Sequence, residues 1–244
     1  MTRIGIVGAA GRMGQAIAAA IGKDGEASLA GGADQGDDVA ALARASDVLV
    51  DFSAPAALEA NLAAAAGAGA AIVVGTTGLG AEHQRLIDAA ARRIAVLQSA
   101  NMSLGVNLLA HLVREAAARL GPDWDVEIVE MHHRHKADAP SGTALLLGRA
   151  AADGRGVDLD AVSDRGRDGI TGARSPGHIG FASLRGGSVA GDHHVILAAE
   201  HERVELVHRA EARAIFARGA IKAALWLKDQ RPGRYSMNDV LGIA

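Results

Sequence analysis

The sequence predicts an α/β protein in two parts, an N-terminal domain built on a parallel sheet and an α+β domain with a mixed open sheet. Three observations carry this reading. Short apolar runs alternate with alanine-rich stretches of helical length through residues 1–100, a glycine-rich turn joins the first run to the first such stretch, and after Asn101 the alternation gives way to a long helical stretch and then clustered strands. A chain of 244 residues is long enough for two domains with their own cores.

The strands of the first part are predicted at residues 4–7, 28–31, 48–50, 72–74 and 94–97. They are almost wholly apolar, as strands of a parallel sheet covered on both faces must be. The stretches between them carry alanine and leucine at helical spacing, as in Ala16, Ile17, Ala20 and Ile21. Beyond residue 103, residues 106–120 and 144–152 read as helices and 126–131 as a strand. Residues 153–175, rich in Gly, Asp and Arg, read as a long mobile loop. Two or three alternating strands are expected within 179–207, with Gly186-Gly187 marking a hairpin. A last helix over 212–227 has an apolar face suited to packing back on the first domain. The expected division is therefore 1–103, completed by 212–244, and 104–211.

Composition narrows the function classes. The net charge of -3 and an aromatic content of 2% argue against a nucleic-acid binder, which needs basic surface and stacking rings. With no cysteine there is neither disulfide frame nor thiolate chemistry, which fits a reducing compartment. The alanine-rich stretch at 62–74 is interrupted by glycine and too short for a bilayer. The expectation is a cytoplasmic protein.

The glycine-rich turn is Gly8, Ala9, Ala10, Gly11, Arg12, Met13 and Gly14, placed between a predicted strand and helix. Glycines there let the backbone approach a pyrophosphate, and the helix start offers N–H groups to it, which makes the domain Rossmann-like. Asp34, about twenty residues on, stands where a carboxylate would accept hydrogen bonds from the adenosine ribose. Gln35 follows with no adjacent cation for a 2′-phosphate, so NADH is mildly favoured over NADPH. Two further loops, Gly75-Thr76-Thr77-Gly78 and Ser99-Ala100-Asn101-Met102, follow predicted strands. In that register they face the nicotinamide, with the threonine hydroxyls on the ribose and carboxamide and Met102 against the ring.

The densest chemistry lies in residues 130–144, E-M-H-H-R-H-K-A-D-A-P-S-G-T-A. His132, His133 and His135 with Arg134 and Lys136 repel one another unless solvent or an anion intervenes. The Pro140-Ser141-Gly142-Thr143 run opens a helix beside them. An anion site beside an acid suits these residues better than a metal, because imidazole ligands would share the segment with two fixed cations. Asp138 is expected to cap the helix or orient the loop, and His193-His194 to lie exposed on a sheet edge.

The chain resembles the 4-hydroxy-tetrahydrodipicolinate reductase family, also called dihydrodipicolinate reductases, of the diaminopimelate route to lysine. The resemblance rests on V-G-A-A-G-R-M-G, V-D-F-S, V-G-T-T-G, S-A-N-M-S-L-G-V-N, the 130–144 signature and F-A-R-G-A-I-K-A-A-L-W-L, nearly end to end. It implies His132 as proton donor and acceptor, Lys136 as second proton donor, and His133 with the Gly142 and Thr143 amides as groups binding a small dicarboxylate. It also implies cofactor contacts from Gly8, Ala9, Ala10, Gly11, Arg12, Met13, Asp34, Gly75, Thr76, Thr77, Ser99, Ala100, Asn101 and Met102. Met102 stands where many members carry Phe, and Gln35 where members favouring NADPH tend to carry Arg. The implied reaction is reduction of the cyclic imine with NADH or NADPH, in a homotetramer assembled through the second domain's sheet. The competing readings are a Rossmann-type dehydrogenase of another small carboxylate and a non-catalytic NAD(P)-sensing protein, neither of which needs the whole signature.

Overall fold

The structure, a computed structural model, describes residues 1–243. The chain divides into two compact units, one of residues 1–104 with the segment from Ala214 on, the other of Gly105–Arg213.

In the first unit the order is β1 (Thr2–Val7), α1 (Arg12–Ile21), β2 (Ala27–Ala33), α2 (Val39–Ala45), β3 (Val48–Asp51), α3 (Leu58–Ala68), β4 (Ala71–Val74), α4 (Ala81–Ala91) and β5 (Ala95–Gln98). The strands form a parallel sheet in the order β5-β4-β3-β1-β2. Alternation along each strand divides its side chains between two cores. Ile4, Ile6, Val48, Val50 and Val73 pack with Ile17 and Ile21 of α1, whereas Leu49, Ile72, Val74 and Val96 pack with Leu42, Leu62 and Ile87 of α2, α3 and α4. Both faces are covered, which is why these strands carry so few polar residues.

The second unit begins within α5 (Leu104–Leu120) and continues through β6 (Asp125–His132), α6 (Gly142–Arg155), α7 (Leu159–Val162), β7 (Ser163–Asp164), β8 (Ile179–Arg185), β9 (Gly191–Ala199) and β10 (Glu202–Ala210). Its sheet is mixed, in the order β10-β9-β6-β8-β7, with β6 parallel to β8 and antiparallel to β9. One face is buried by α5 and α6, through Leu109, Val113, Leu147 and Ala151 against Val126, Ile128, Val195 and Leu197. Gly154 lets those helices meet closely, since a Cβ there would stand 2.3 Å from the Arg114 carbonyl oxygen.

The chain then returns to the first unit as α8 (Ala214–Leu227), β11 (Gly233–Tyr235) and α9 (Met237–Leu241). The helix packs Ala217, Ala220, Ile221, Ala224 and Leu227 into the core that holds α1, and β11 adds a parallel edge strand beside β5.

Two sequence expectations fail here. Gly186-Gly187 does not close a hairpin, because β8 and β9 lie on opposite sides of β6 and the segment between them crosses its end. The hairpin is β9 to β10, turned at Glu200-His201 with His201 at φ 70°. Residues 153–175 are not wholly loop either. The end of α6, α7 and β7 occupy the first part, and Arg174 fixes the rest by ion pairs to Asp125 at 2.7 Å and Glu127 at 2.9 Å.

The turn after β1 is fixed by glycine in two ways. Gly8 adopts φ 81°, and a Cβ on Gly14 would lie 2.3 Å from the Gly8 carbonyl oxygen and 2.6 Å from that of Ala9. Because both obstacles are backbone, Gly14→Ala is expected to cost about 1–3 kcal/mol of stability. A thermal melt checks this, and a variant melting with the wild type would mean that the turn relaxes freely.

Candidate active site

The residues singled out in the first unit converge at the carboxyl ends of its strands. The Gly8 amide donates to the Ala33 carbonyl at 2.8 Å, and the Ala10 amide donates to the Asp34 carboxylate at 3.0 Å, so the glycine turn and the end of β2 are joined. Helix α1 starts at Arg12 behind Gly11, which has no side chain to cap it. A turn that takes a carboxylate on one amide, with a helix start kept clear of side chains, fits a dinucleotide phosphate.

Beside it, the Gly75 amide donates to the Asp51 carbonyl at 2.9 Å and the Ser99 amide to the Val74 carbonyl at 3.1 Å. Gly75 is needed because Phe52 lies against it; a Cβ would stand 2.4 Å from the ring. The Asp51 carboxylate, fully buried, accepts from the Ser53 amide and hydroxyl, Asn61 Nδ2 and Thr76 Oγ1, and so ties the loops after β3 and β4 together.

In the second unit the site is organised by β6. Alternation along this strand sends Val126, Ile128, Glu130 and His132 to the buried face. Glu130 is 1% exposed and meets four groups. Its Oε2 lies 2.6 Å from His132 Nδ1 and accepts from Arg185 Nη1 at 2.9 Å, and its Oε1 accepts from Arg185 Nη2 at 2.8 Å and from the Ser141 amide at 3.2 Å. Burial alone would raise the Glu130 carboxyl, but the hydrogen bonds from Arg185, His132 and Ser183 outweigh it and bring it down to about 2. An ionised carboxylate only accepts, so His132 donates from Nδ1.

His193 of β9 faces Glu130 across the ladder and packs edge-on to His132 with ring centroids 5.1 Å apart. Its Nε2 lies 3.2 Å from Ser141 Oγ. Burial, and then the charge that His132 can carry, push the His193 imidazole down to about 3, so it stays neutral. Gly191 completes this corner, because a Cβ there would stand 2.9 Å from His132 Nε2.

The loop from His133 to Ser141 is laid along the 186–190 segment by the His133 amide donating to the Val189 carbonyl and the Gly186 amide to the His132 carbonyl. Lys136 Nζ pairs with Asp138 at 2.8 Å, and His133 Nε2 lies 3.1 Å from Arg213 Nη2. Burial and then the neighbouring Arg213 lower the His133 imidazole. Ser141 caps α6 by accepting from the Ala144 amide at 3.1 Å, and the first turn carrying Gly142 and Thr143 lies next to Glu130. Among the described residues no group of three or more His, Cys, Asp or Glu side chains could hold a metal.

Models of the dihydrodipicolinate reductase N-terminus and C-terminus match residues 2–102 and 105–241. The chain belongs to the dihydrodipicolinate reductase family. It is 59% identical to the 4-hydroxy-tetrahydrodipicolinate reductase of Zymomonas mobilis subsp. mobilis, over 99% of this chain and 97% of that one. With the reductase of the same name from Parvibaculum lavamentivorans it shares 54% identity over 99% and 98% of the two chains. Its fold is similar to that of a dipicolinate-bound dihydrodipicolinate reductase from Paenisporosarcina sp. TG-14, with a TM-score of 0.80 at 23% identity over 97% of each chain. The first unit of this reductase is thus Rossmann-like, and the second carries the mixed sheet.

Several side chains of the reductase stand differently from expectation. Met102 is 2% exposed inside the core that holds α1 and α8, so its thioether has no face for a nicotinamide ring. The Thr76 hydroxyl is buried and directed to Asp51 rather than outward, while Thr77 is exposed. Of the two roles expected for Asp138 the helix cap falls to Ser141, while the pair with Lys136 leaves Asp138 the role of orienting the loop. His193 is 3% exposed on an interior strand, so the exposed-edge reading fails for it. Arg185 and Arg213 escaped the sequence reading altogether. They lie 55 and 80 residues from the groups they meet, a distance no local spacing signals.

These buried groups set an acid limit on stability. His193 is depressed from 6.5 to about 3, so the unfolded chain takes up a proton that the folded one refuses, and stability declines as pH falls below about 6.5. Glu130, depressed from 4.5 to about 2, adds stability that is complete above about pH 4.5 and is lost as pH falls toward 2. Urea unfolding between pH 7 and 3 is expected to show both steps, with His193→Asn flattening the first alone. An unaltered slope in that variant would assign the acid sensitivity elsewhere.

Proposed function

We propose that the chain reduces 4-hydroxy-tetrahydrodipicolinate, by way of dihydrodipicolinate, to tetrahydrodipicolinate with NADH or NADPH in diaminopimelate and lysine biosynthesis. The observation that carries this reading is the cluster at the end of β6. A histidine held by a buried carboxylate, a lysine and a helix start lie within one short segment, beside an arginine on His133. The residue roles proposed are those that the family resemblance implies, and each suits the chemistry of a cyclic dicarboxylate. Lys136, His133 and the amides of Gly142 and Thr143 hold the carboxylates, for which Lys136 exchanges the exposed Asp138 carboxylate. Arg213, beside His133, adds a fixed cation for the same purpose. His132 delivers a proton to the reduced ring system, with Lys136 as the second donor, and the hydroxyl at the substrate's fourth carbon leaves as water.

The dinucleotide, when bound, supplies the hydride. Its phosphates are proposed to lie on Gly8, Ala9, Ala10, Gly11, Arg12 and Met13, its adenosine ribose on Asp34, and its nicotinamide end by the backbone of Gly75, Thr76, Thr77, Ser99, Ala100, Asn101 and Met102. Geometry supports this: the Ala10 amide of the glycine turn donates to the Asp34 carboxylate, and the Ser99 amide at the start of the loop after β5 donates to the Val74 carbonyl at the end of β4. Gln35 is exposed and no arginine follows Asp34, which favours NADH.

A homotetramer joined through the sheet of the second unit is the proposed assembly. Its support is the sheet face opposite α5 and α6, where Val129, Met131 and Ile196 are only half-buried and Leu184 and Val207 are exposed. Among the described residues no helix is long and apolar enough to cross a membrane.

The decisive assay follows reduced-nicotinamide absorbance with substrate freshly made from pyruvate and aspartate semialdehyde, with NADH and NADPH in parallel. A decrease is expected with both, larger with NADH at low concentration; none with either, despite cofactor binding, would favour a sensing protein. His132→Ala and Lys136→Ala are each expected to lower kcat by roughly 10²–10⁴ while dinucleotide Kd changes little. Wild-type turnover in either variant would remove that residue from the mechanism. Light scattering is expected to give four times the chain mass, and Val207→Glu with Leu184→Glu to reduce it.

A further inference from the structure

Glu130 is the one buried charge in this site to which the proposed reaction gives no part, and besides Arg185 and Ser183 it meets both of the groups that the reaction needs. We propose that Glu130, paired with Arg185, is the positioning residue of the site: Oε2 fixes the His132 ring through Nδ1, and Oε1 fixes the Ser141 amide at the start of α6. The inference rests on the assignment of His132 as proton donor made above.

Each contact has a physical consequence. Acceptance of the Nδ1 proton by Glu130 at 2.6 Å sets the tautomer, so that Nε2 is the nitrogen that exchanges a proton with substrate. The ring's other side is closed by His193 at 5.1 Å, which leaves it few other orientations. On Oε1, the 3.2 Å bond from the Ser141 amide holds the residue directly before Gly142 and Thr143. Ser141 Oγ in turn meets His193, so helix start and imidazoles form one connected set. Arg185 makes this arrangement tolerable. Its two nitrogens take one carboxylate oxygen each, and Nη2 also donates to the Asp138 carbonyl at 2.6 Å, extending the tie to the loop that carries Lys136. A hydrophobic pair of similar volume would fill the same space.

The two arms predict a split in the kinetics. Glu130→Gln is expected to lower kcat by roughly 10–10² through His132 and to raise KM for the dicarboxylate several-fold through Ser141, with dinucleotide Kd unchanged. Glu130→Leu with Arg185→Met removes both charges without leaving one unpaired, and is expected to fold and to show a larger fall in kcat than Glu130→Gln. The deciding measurement is a double-mutant cycle with His132→Ala. If Glu130 acts through His132, Glu130→Gln in the His132→Ala background leaves kcat within about twofold while KM still rises. A further fall in kcat equal to that seen in the wild-type background would make Glu130 a merely structural residue and overturn the proposal. Full turnover in His132→Ala alone would instead remove the proton-donor assignment on which the inference rests. In the wild type, proton NMR is expected to show a strongly downfield imidazole N–H signal that is absent from His132→Ala and moves upfield in Glu130→Gln. A wild-type spectrum without that signal would also count against it.

Discussion

The ion pair between Glu130 and Arg185 forms where Glu130 is 1% exposed, and a carboxylate left unpaired there would cost several kcal/mol. That constraint orders the rest of the second unit's site. Arg185 at the end of β8 must reach β6, which it does because the two strands are parallel neighbours in register, His132 opposite Arg185. The same carboxylate also takes His132 Nδ1, the Ser183 side chain and the Ser141 amide just before α6. In a segment whose composition suggests mutual repulsion, His132 is thus held by Glu130 and Lys136 by Asp138.

The first unit meets a similar demand without a cation. Asp51 is fully buried, and its carboxylate is satisfied by a backbone amide, two hydroxyls and an amide side chain. Neutral donors suffice where a group only has to join loops. A carboxylate expected to hold a charged imidazole gains from the fixed arginine, because two partners of opposite sign let the imidazole gain or lose its proton without leaving Glu130 alone. The contrast separates two uses of buried acid in one chain, one architectural and one able to follow a change in charge.

Much of the fold was legible because its signals are local. The apolar runs, the glycine turn and the helix start at Pro140-Ser141 each lie within a few residues, and the elements given bounds from the sequence form within two or three positions of them, whereas α7, β7, β11 and α9 were not foreseen. What escaped depends on pairing across the chain. Gly186-Gly187 has the composition of a hairpin, yet β6 had already taken the place between β8 and β9. Met102 sits in a loop by sequence but turns inward, because α8 returns from the far end of the chain to cover it. His193 looked like half of an exposed pair, whereas alternation on an interior strand buries it and leaves His194 on the other face. In the candidate site, the histidines, the lysine and the helix start were visible in one segment, and the arginines that meet Glu130 and His133 were not.

The spacing within that segment follows from strand geometry. Glu130 and His132 are two residues apart on β6 and so share its buried face, with Met131 between them directed to the other side. One residue more or less would place the imidazole on the open face, away from the carboxylate. The strand ends at His132, and the next residues turn away to run beside the 186–190 segment, which frees His133 and Lys136 from the sheet. Nine residues after His132 the chain is back at Glu130 through the Ser141 amide. The loop between them thus leaves one oxygen of the carboxylate and returns to the other, so that His133 and Lys136 are carried on a segment whose two ends meet the same side chain.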